Sequence, residues 1–96
     1  MSRYLLSPAA AADIDEIWDY THDRWDADQA DEYIREIQRA IERAAAHPHI
    51  GRSCDDIRPG YFKIAAGSHV AFYRVTADAI IIVRILHQRM DVDRHL

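Results

Sequence analysis

Two arginines interrupt apolar strands, Arg74 within Phe72-Tyr73-Arg74-Val75 and Arg84 within Val83-Arg84-Ile85. Strand side chains alternate between faces, so two guanidinium groups on one face could clamp a phosphate or a carboxylate. The plainer reading is an outward arginine paired with an acid, or one lying over apolar surface. His87-Gln88-Arg89 closes the last apolar run. A histidine beside two arginines can act as a general base next to a phosphate clamp, the layout of an RNase. A solvated tail continuing through Arg94 and His95 is the alternative. His47, His49 and Cys54 suggest a metal, but no fourth ligand stands at a standard zinc spacing, so no metal site is expected. Gly51, Gly60 and Gly67 are isolated and form no phosphate-cradling loop. No Ser-His-Asp or Cys-His arrangement has a recognisable context, and no cofactor is expected.

The elements that must position these residues follow from periodicity. Arg3 to Leu6 reads as a first strand. Ser7 is a helix N-cap with Pro8 at the first helical position, where its missing N–H costs nothing. Ile14, Ile17, Trp18, Thr21 and Trp25 form one helical stripe, with Asp13, Asp15, Glu16, Asp19 and Asp23 assigned to the remaining surface. Asp26 caps a second helix, with Gln29 completing a capping box. Its stripe is Ala30, Tyr33, Ile34, Ile37, Ile41 and Ala44, and Pro48 ends it near His47. So short a link makes the two helices an antiparallel hairpin. After a connection from His49 to Pro59 the period falls to two. Strands are expected over Tyr61 to Ala65, His69 to Val75 and Ala79 to His87, joined by tight turns. The order β-α-α-β-β-β makes an α+β fold, a helical hairpin packed on a small antiparallel sheet. The other sheet face is expected to be open, a surface for docking.

At 96 residues and 11.1 kDa the chain is expected to be a single domain over 1–96. Its formal charge of −4 argues against a protein that coats RNA or DNA. That charge is unevenly split. Residues 1–48 carry a net of −6 and residues 49–96 a net of +2. One cysteine excludes an internal disulfide and fits a reducing cytoplasm. The apolar stretch from Leu5 to Ala12 is short, contains Pro8 and is better read as a helix start than as a signal peptide. No run is long enough for a membrane span.

Several segments together resemble the ParE-type toxins of the RelE/ParE superfamily. They are Ser7-Pro8-Ala9-Ala10 leading into Ile14-x-x-Ile17-Trp18, His47-Pro48-x-Ile50-Gly51-Arg52, Ile57-Arg58-Pro59-Gly60-Tyr61 and Val70-Ala71-Phe72-Tyr73-Arg74-Val75. The most specific is Val83-Arg84-Ile85-Leu86-His87-Gln88-Arg89-Met90-Asp91. The resemblance covers nearly the whole chain. It implies the fold just described and the toxic half of a type II toxin–antitoxin operon. For the ParE branch it implies a poison of DNA gyrase that blocks replication and works by binding, not as an enzyme. It further implies a ParD-like antitoxin with a ribbon-helix-helix DNA-binding domain, a toxin–antitoxin hetero-oligomer, and contact with operator DNA only through the antitoxin.

The RelE branch instead cuts mRNA on the ribosome, and by position Arg74, Arg84 and His87 would be its catalytic residues here. The low content of lysine, a single Lys63, and the negative net charge favour the gyrase branch. On that reading Arg84, His87, Arg89, Met90 and Asp91 are the expected target contacts, because a mixed polar tail beside an open sheet suits a protein interface. Tyr20, which lies off the first stripe, together with Trp25 and Tyr61 is expected to meet the antitoxin.

Overall fold

Ser7 begins the structure as the sequence requires. In the computed structural model, which describes residues 3–90 and 92–96, its side chain accepts the Ala10 N–H and starts helix α1, Pro8–Arg24. Asp26 accepts the Gln29 N–H and starts helix α2, Ala27–Ala46. The two helices form the expected hairpin and lie on one face of a five-stranded sheet. Its strands are β1 (Tyr4–Leu6), β2 (Arg52–Ser53), β3 (Tyr61–Ala66), β4 (His69–Val75) and β5 (Ile80–His87), in the spatial order β1-β5-β4-β3-β2. Strands β2 to β5 pair antiparallel, whereas β1 runs parallel to β5, so the sheet is mixed. Strand β2 falls in the expected connection. A two-residue strand has no period to betray it.

The main core lies between hairpin and sheet. Ile17 of α1 and Ile37, Ala40, Ile41 and Ala44 of α2 pack against Ala71, Tyr73, Ile80, Ile82 and Ile85. Alanines at the helix positions let the backbones approach the sheet closely. The Tyr73 hydroxyl, fully buried, donates to the Pro48 carbonyl and accepts the Gly51 N–H, which ties the connection to the core.

The first helical stripe differs from expectation at both ends. Asp13 is buried, 8% exposed, and Trp25 is 70% exposed at the helix C-terminus. Half-buried Trp18 donates to Asp31 of α2 and stacks on His22. Ala10, Asp13, Ile14 and Ile17 have the spacing of one helix face, which carries Asp13 inward.

The second sheet face is not open throughout. Phe72, Leu86 and Cys54 form a smaller buried cluster there. Ile57 and Tyr61 pack on it, as do Val92 and Leu96 from a short helix, α3 (Val92–His95), and the residue after it. The polar-looking tail therefore returns to the sheet through two apolar residues. A single helical turn is too short to show a period.

Candidate functional site

Strand β1 is three residues long and ends at Leu6, opposite Ile82. From Val83 onward β5 is an edge of the sheet. A β-bulge falls at the same place. The β4 residues Phe72 and Tyr73 are adjacent, yet their partners are Arg84 and Ile82. The extra residue reverses the facing of the rest of the strand. Ile82 and Ile85 both reach the helical core, while Arg84 and Leu86 fall on the other face.

Two side chains from the start of α1 take the place of the missing strand. Ser7 donates its hydroxyl to the Val83 carbonyl at 2.7 Å. Asp13 accepts the Ile85 N–H at 2.9 Å and receives Arg84 in a two-pronged pair, Nε and Nη2 each at 2.8 Å. The remaining guanidinium nitrogen, Nη1, donates to the His95 carbonyl at 3.0 Å. Asp13 is the first cause of the raised pKa of Arg84, through this hydrogen bonding, and its charge adds to it. Arg84 thus makes three hydrogen bonds to two partners and joins α1, β5 and α3.

Beside this edge lies a groove of about 430 Å³ between α1 and the ends of β4 and β5. Ile17, Ile85 and Leu86 supply its apolar surface, and Tyr20 and Met90 stand at its rim, 64% and 47% exposed. Glu16, His69, His87 and His95 supply polar groups. His69 and His87 are direct partners across β4 and β5, with ring centroids 5.3 Å apart. The Tyr33 hydroxyl accepts the Ser68 N–H at 2.9 Å and is hydrogen-bonded to His69 Nδ1 at 2.6 Å. Burial lowers the pKa of His69, and the neighbouring His87 lowers it further, opposed by Asp13. Burial likewise raises the pKa of Tyr33.

Four of the expected residues, Tyr20, Arg84, His87 and Met90, meet at the groove. Arg89 comes next in the turn, exposed, its N–H donating to His87 Nδ1. Trp25 stands at the tip of the hairpin and Tyr61 on the second face against the Phe72 cluster, so neither lines the groove. Asp91 lies outside the described residues. The trio Arg74, Arg84 and His87 is not assembled. Arg74 pairs with Ile81 at one end of the sheet, and His87 pairs with His69 at the other. Five residues of strand separate them, about 17 Å. Arg84 is committed to Asp13, the plainer of the two readings of a strand arginine. His49 lies edge-on to Phe62, which packs against the helical core, whereas Cys54 is buried in the cluster on the opposite face. The groove histidine His69 and the buried Asp13 were not singled out from sequence. Asp13 carried a signal, an acid at apolar helix spacing. His69 carried none, because pairing with His87 depends on strand register.

Comparison with known proteins agrees with this architecture. A family profile described as "ParE toxin of type II toxin-antitoxin system, parDE" matches residues 4–92. The protein "Toxin ParE1" of Mycobacterium tuberculosis is 68% identical over 96 residues, 99% of this chain and 98% of that one. "Toxin ParE1" of Caulobacter vibrioides is 47% identical, covering 100% and 99% respectively. A solved structure titled "Chromosomal ParDE TA system from P. aeruginosa" shares the fold, with a TM-score of 0.78 at 24% identity over 91% of this chain and 96% of that one. With the profile spanning all five strands and both hairpin helices, the chain belongs to the ParE toxin family of type II toxin–antitoxin systems.

Proposed function

We propose that this toxin acts in the cytoplasm by binding, poisoning DNA gyrase and blocking replication, and that a ParD-like antitoxin neutralises it and represses the shared operon with it. The observation that carries the binding mode is the commitment of Arg84 to Asp13, with Arg74 a sheet's length from His87. A phosphate clamp with an adjacent base needs those groups within hydrogen-bond reach of one substrate atom. Membership of the ParE family supports the gyrase target.

The groove supports a mechanism of neutralisation. Tyr20, the expected antitoxin contact, lines the same groove as His87 and Met90, which are among the expected target contacts. A partner seated on Tyr20 covers that face of the toxin, so the antitoxin needs only to occupy the groove. Aromatic and methionine side chains around an apolar floor are the usual anchors of such an interface. Glu16 on the groove wall favours a cationic residue in the antitoxin segment.

The test is a gyrase supercoiling and DNA-cleavage assay with purified toxin, with and without the protein encoded beside it. Gyrase-linked breaks that vanish on adding the neighbour are the expected result. A folded toxin that arrests growth, spares gyrase and cuts mRNA only in the presence of ribosomes would replace this reading with the endonuclease one.

A further inference from the structure

The acids of this protein are concentrated in its helical layer. Eleven of the sixteen acidic residues lie on α1, α2 and the Asp26 link between them. The five strands contain no acidic residue at all. They do contain cations, and register brings three of these together on the face away from the helices. Arg52 of β2 is directly opposite Lys63 of β3. Lys63 is opposite Phe72 of β4, and Arg74 stands two residues further along on the same face. Phe62, Ile64, Ala71 and Tyr73, the alternate positions, all point into the helical core, which fixes the facing of the cations. Alternation with Leu5, whose partner is Ile81, carries Arg3 to the same face. The four cations thus cross the sheet diagonally from β2 to β1, four strand spacings or about 19 Å.

The fold gains nothing from this row. Like charges directly opposite on neighbouring strands, such as Arg52 and Lys63, weaken a sheet. None of the four has a carboxylate partner among the described residues, unlike Arg84 on the same sheet. Asp55 and Asp56 lie nearby in the connecting loop, but Asp55 is occupied by the Gly60 N–H. Backbone pairing fixes where Arg52, Lys63 and Arg74 leave the sheet.

We propose that this face, opposite the helical hairpin, binds the sugar–phosphate backbone of duplex DNA, so that the toxin touches DNA directly and not only through an antitoxin. A duplex matches the row better than a single strand, which would need exposed aromatic platforms for its bases. On this face Tyr61 is half-buried against the Phe72 cluster and offers little to stack on. The negative total charge keeps the free affinity low and sets the orientation, with the acidic helices turned away from the phosphates. A DNA contact of this kind strengthens whenever a target protein presents DNA beside the toxin. The contact itself does not depend on which target that is.

The experiment uses the whole toxin and a short fluorescent duplex of random sequence, without gyrase. Anisotropy is followed between about 50 and 200 mM salt. The expected result is weak, sequence-independent binding, with log K falling against log salt at a slope of about −3 for three to four phosphate contacts. Arg74→Gln should lower the slope by about 0.9, and the exposed pair Arg52→Glu with Arg74→Glu should abolish binding with an unchanged circular dichroism spectrum. Absence of binding at about 50 mM salt overturns the proposal. So does retained binding by the charge-reversed variant. Displacement of the duplex by an equal concentration of charge as polyglutamate overturns it too, because the face would then fit an acidic protein segment. The wild-type salt slope decides the matter even if a variant fails to fold.

Discussion

The carboxylate of Asp13 holds Arg84 by two hydrogen bonds of 2.8 Å from 71 residues away, and with one of the same oxygens, Oδ2, it accepts the N–H of Ile85. One helix side chain therefore does the work of a strand segment at the sheet edge. Replacing it leaves a guanidinium and a buried backbone N–H without partners. Arg84 is only about a quarter exposed, so the loss approaches that of a broken buried pair. Asp13→Ala should cost about 3 kcal/mol of unfolding free energy by chemical denaturation. Asp13→Asn, which keeps an acceptor for Ile85, should cost less.

His69 gives the stability a pH dependence of known sign. Its native pKa is depressed below the ordinary 6.5, by burial first and by His87 second. Tyr33 and Glu36 from α2, Asp13, Glu16 and Tyr20 from α1, Arg84 from β5 and His95 from α3 are the other ionisable groups of its surroundings. Above about pH 6.5 both native and unfolded His69 are neutral, and full stability is present. As pH falls through that value the unfolded chain takes up the proton first, so stability drops until the lower native pKa is passed. Unfolding free energies measured from pH 8 to pH 5 should show this loss. Under the same conditions His69→Gln should flatten it.

Gly67 makes the turn between β3 and β4 with a φ of +62°. A methyl group there would stand 2.6 Å from a Tyr33 ring carbon. Gly67→Ala therefore combines a left-handed backbone with displacement of the ring whose hydroxyl binds Ser68 and His69. A loss of about 1–3 kcal/mol is expected, visible as a lowered thermal midpoint. Gly60 also has a positive φ but nothing near it, so Gly60→Ala should cost less.

The groove reading makes Tyr20 an anchor with little part in the core. Tyr20→Ala should leave the thermal midpoint nearly unchanged and weaken antitoxin binding roughly tenfold by calorimetry. Unaltered affinity would move the antitoxin contact elsewhere, Trp25 at the hairpin tip being the next residue to replace.

Deletion of residues 92–96 uncovers the Phe72 and Leu86 cluster and frees Arg84 from the His95 carbonyl. A stability loss of about 1–3 kcal/mol is expected from the apolar area exposed. A shortened toxin that loses activity thus says little about target contact. Met90→Ala, in an exposed turn, tests the contact without removing α3. It should reduce gyrase-linked cleavage while leaving the denaturation curve in place.

Much of this architecture was legible in the residues. Ser7-Pro8 and Asp26 mark both helix starts, because a cap needs only local chemistry. Repeats of three and four residues marked the helices, and the shift to a period of two marked β3, β4 and β5. The features that stayed hidden depend on register. The bulge between Phe72 and Tyr73 decides which way Arg84 points, and nothing local to Val83 announces it. The pairing of His69 with His87, and the row of Arg52, Lys63 and Arg74, likewise exist only once strands are aligned. Asp13 was hidden differently. Its spacing put it inward, but an acid is normally placed outside, and its partner lies near the other end of the chain.

The parallel pairing of β1 with β5 also has a consequence for how the toxin comes into being. The first strand pairs with residues 80–82, and Asp13 finds its partners in 84 and 85. A chain leaving the ribosome can form its helical hairpin early, but it cannot complete the sheet until β5, residues 80–87, has been made. Contacts of such sequence separation form slowly. Each new molecule therefore passes through a state with its sheet unfinished, and a translation product interrupted before β5 stays in it.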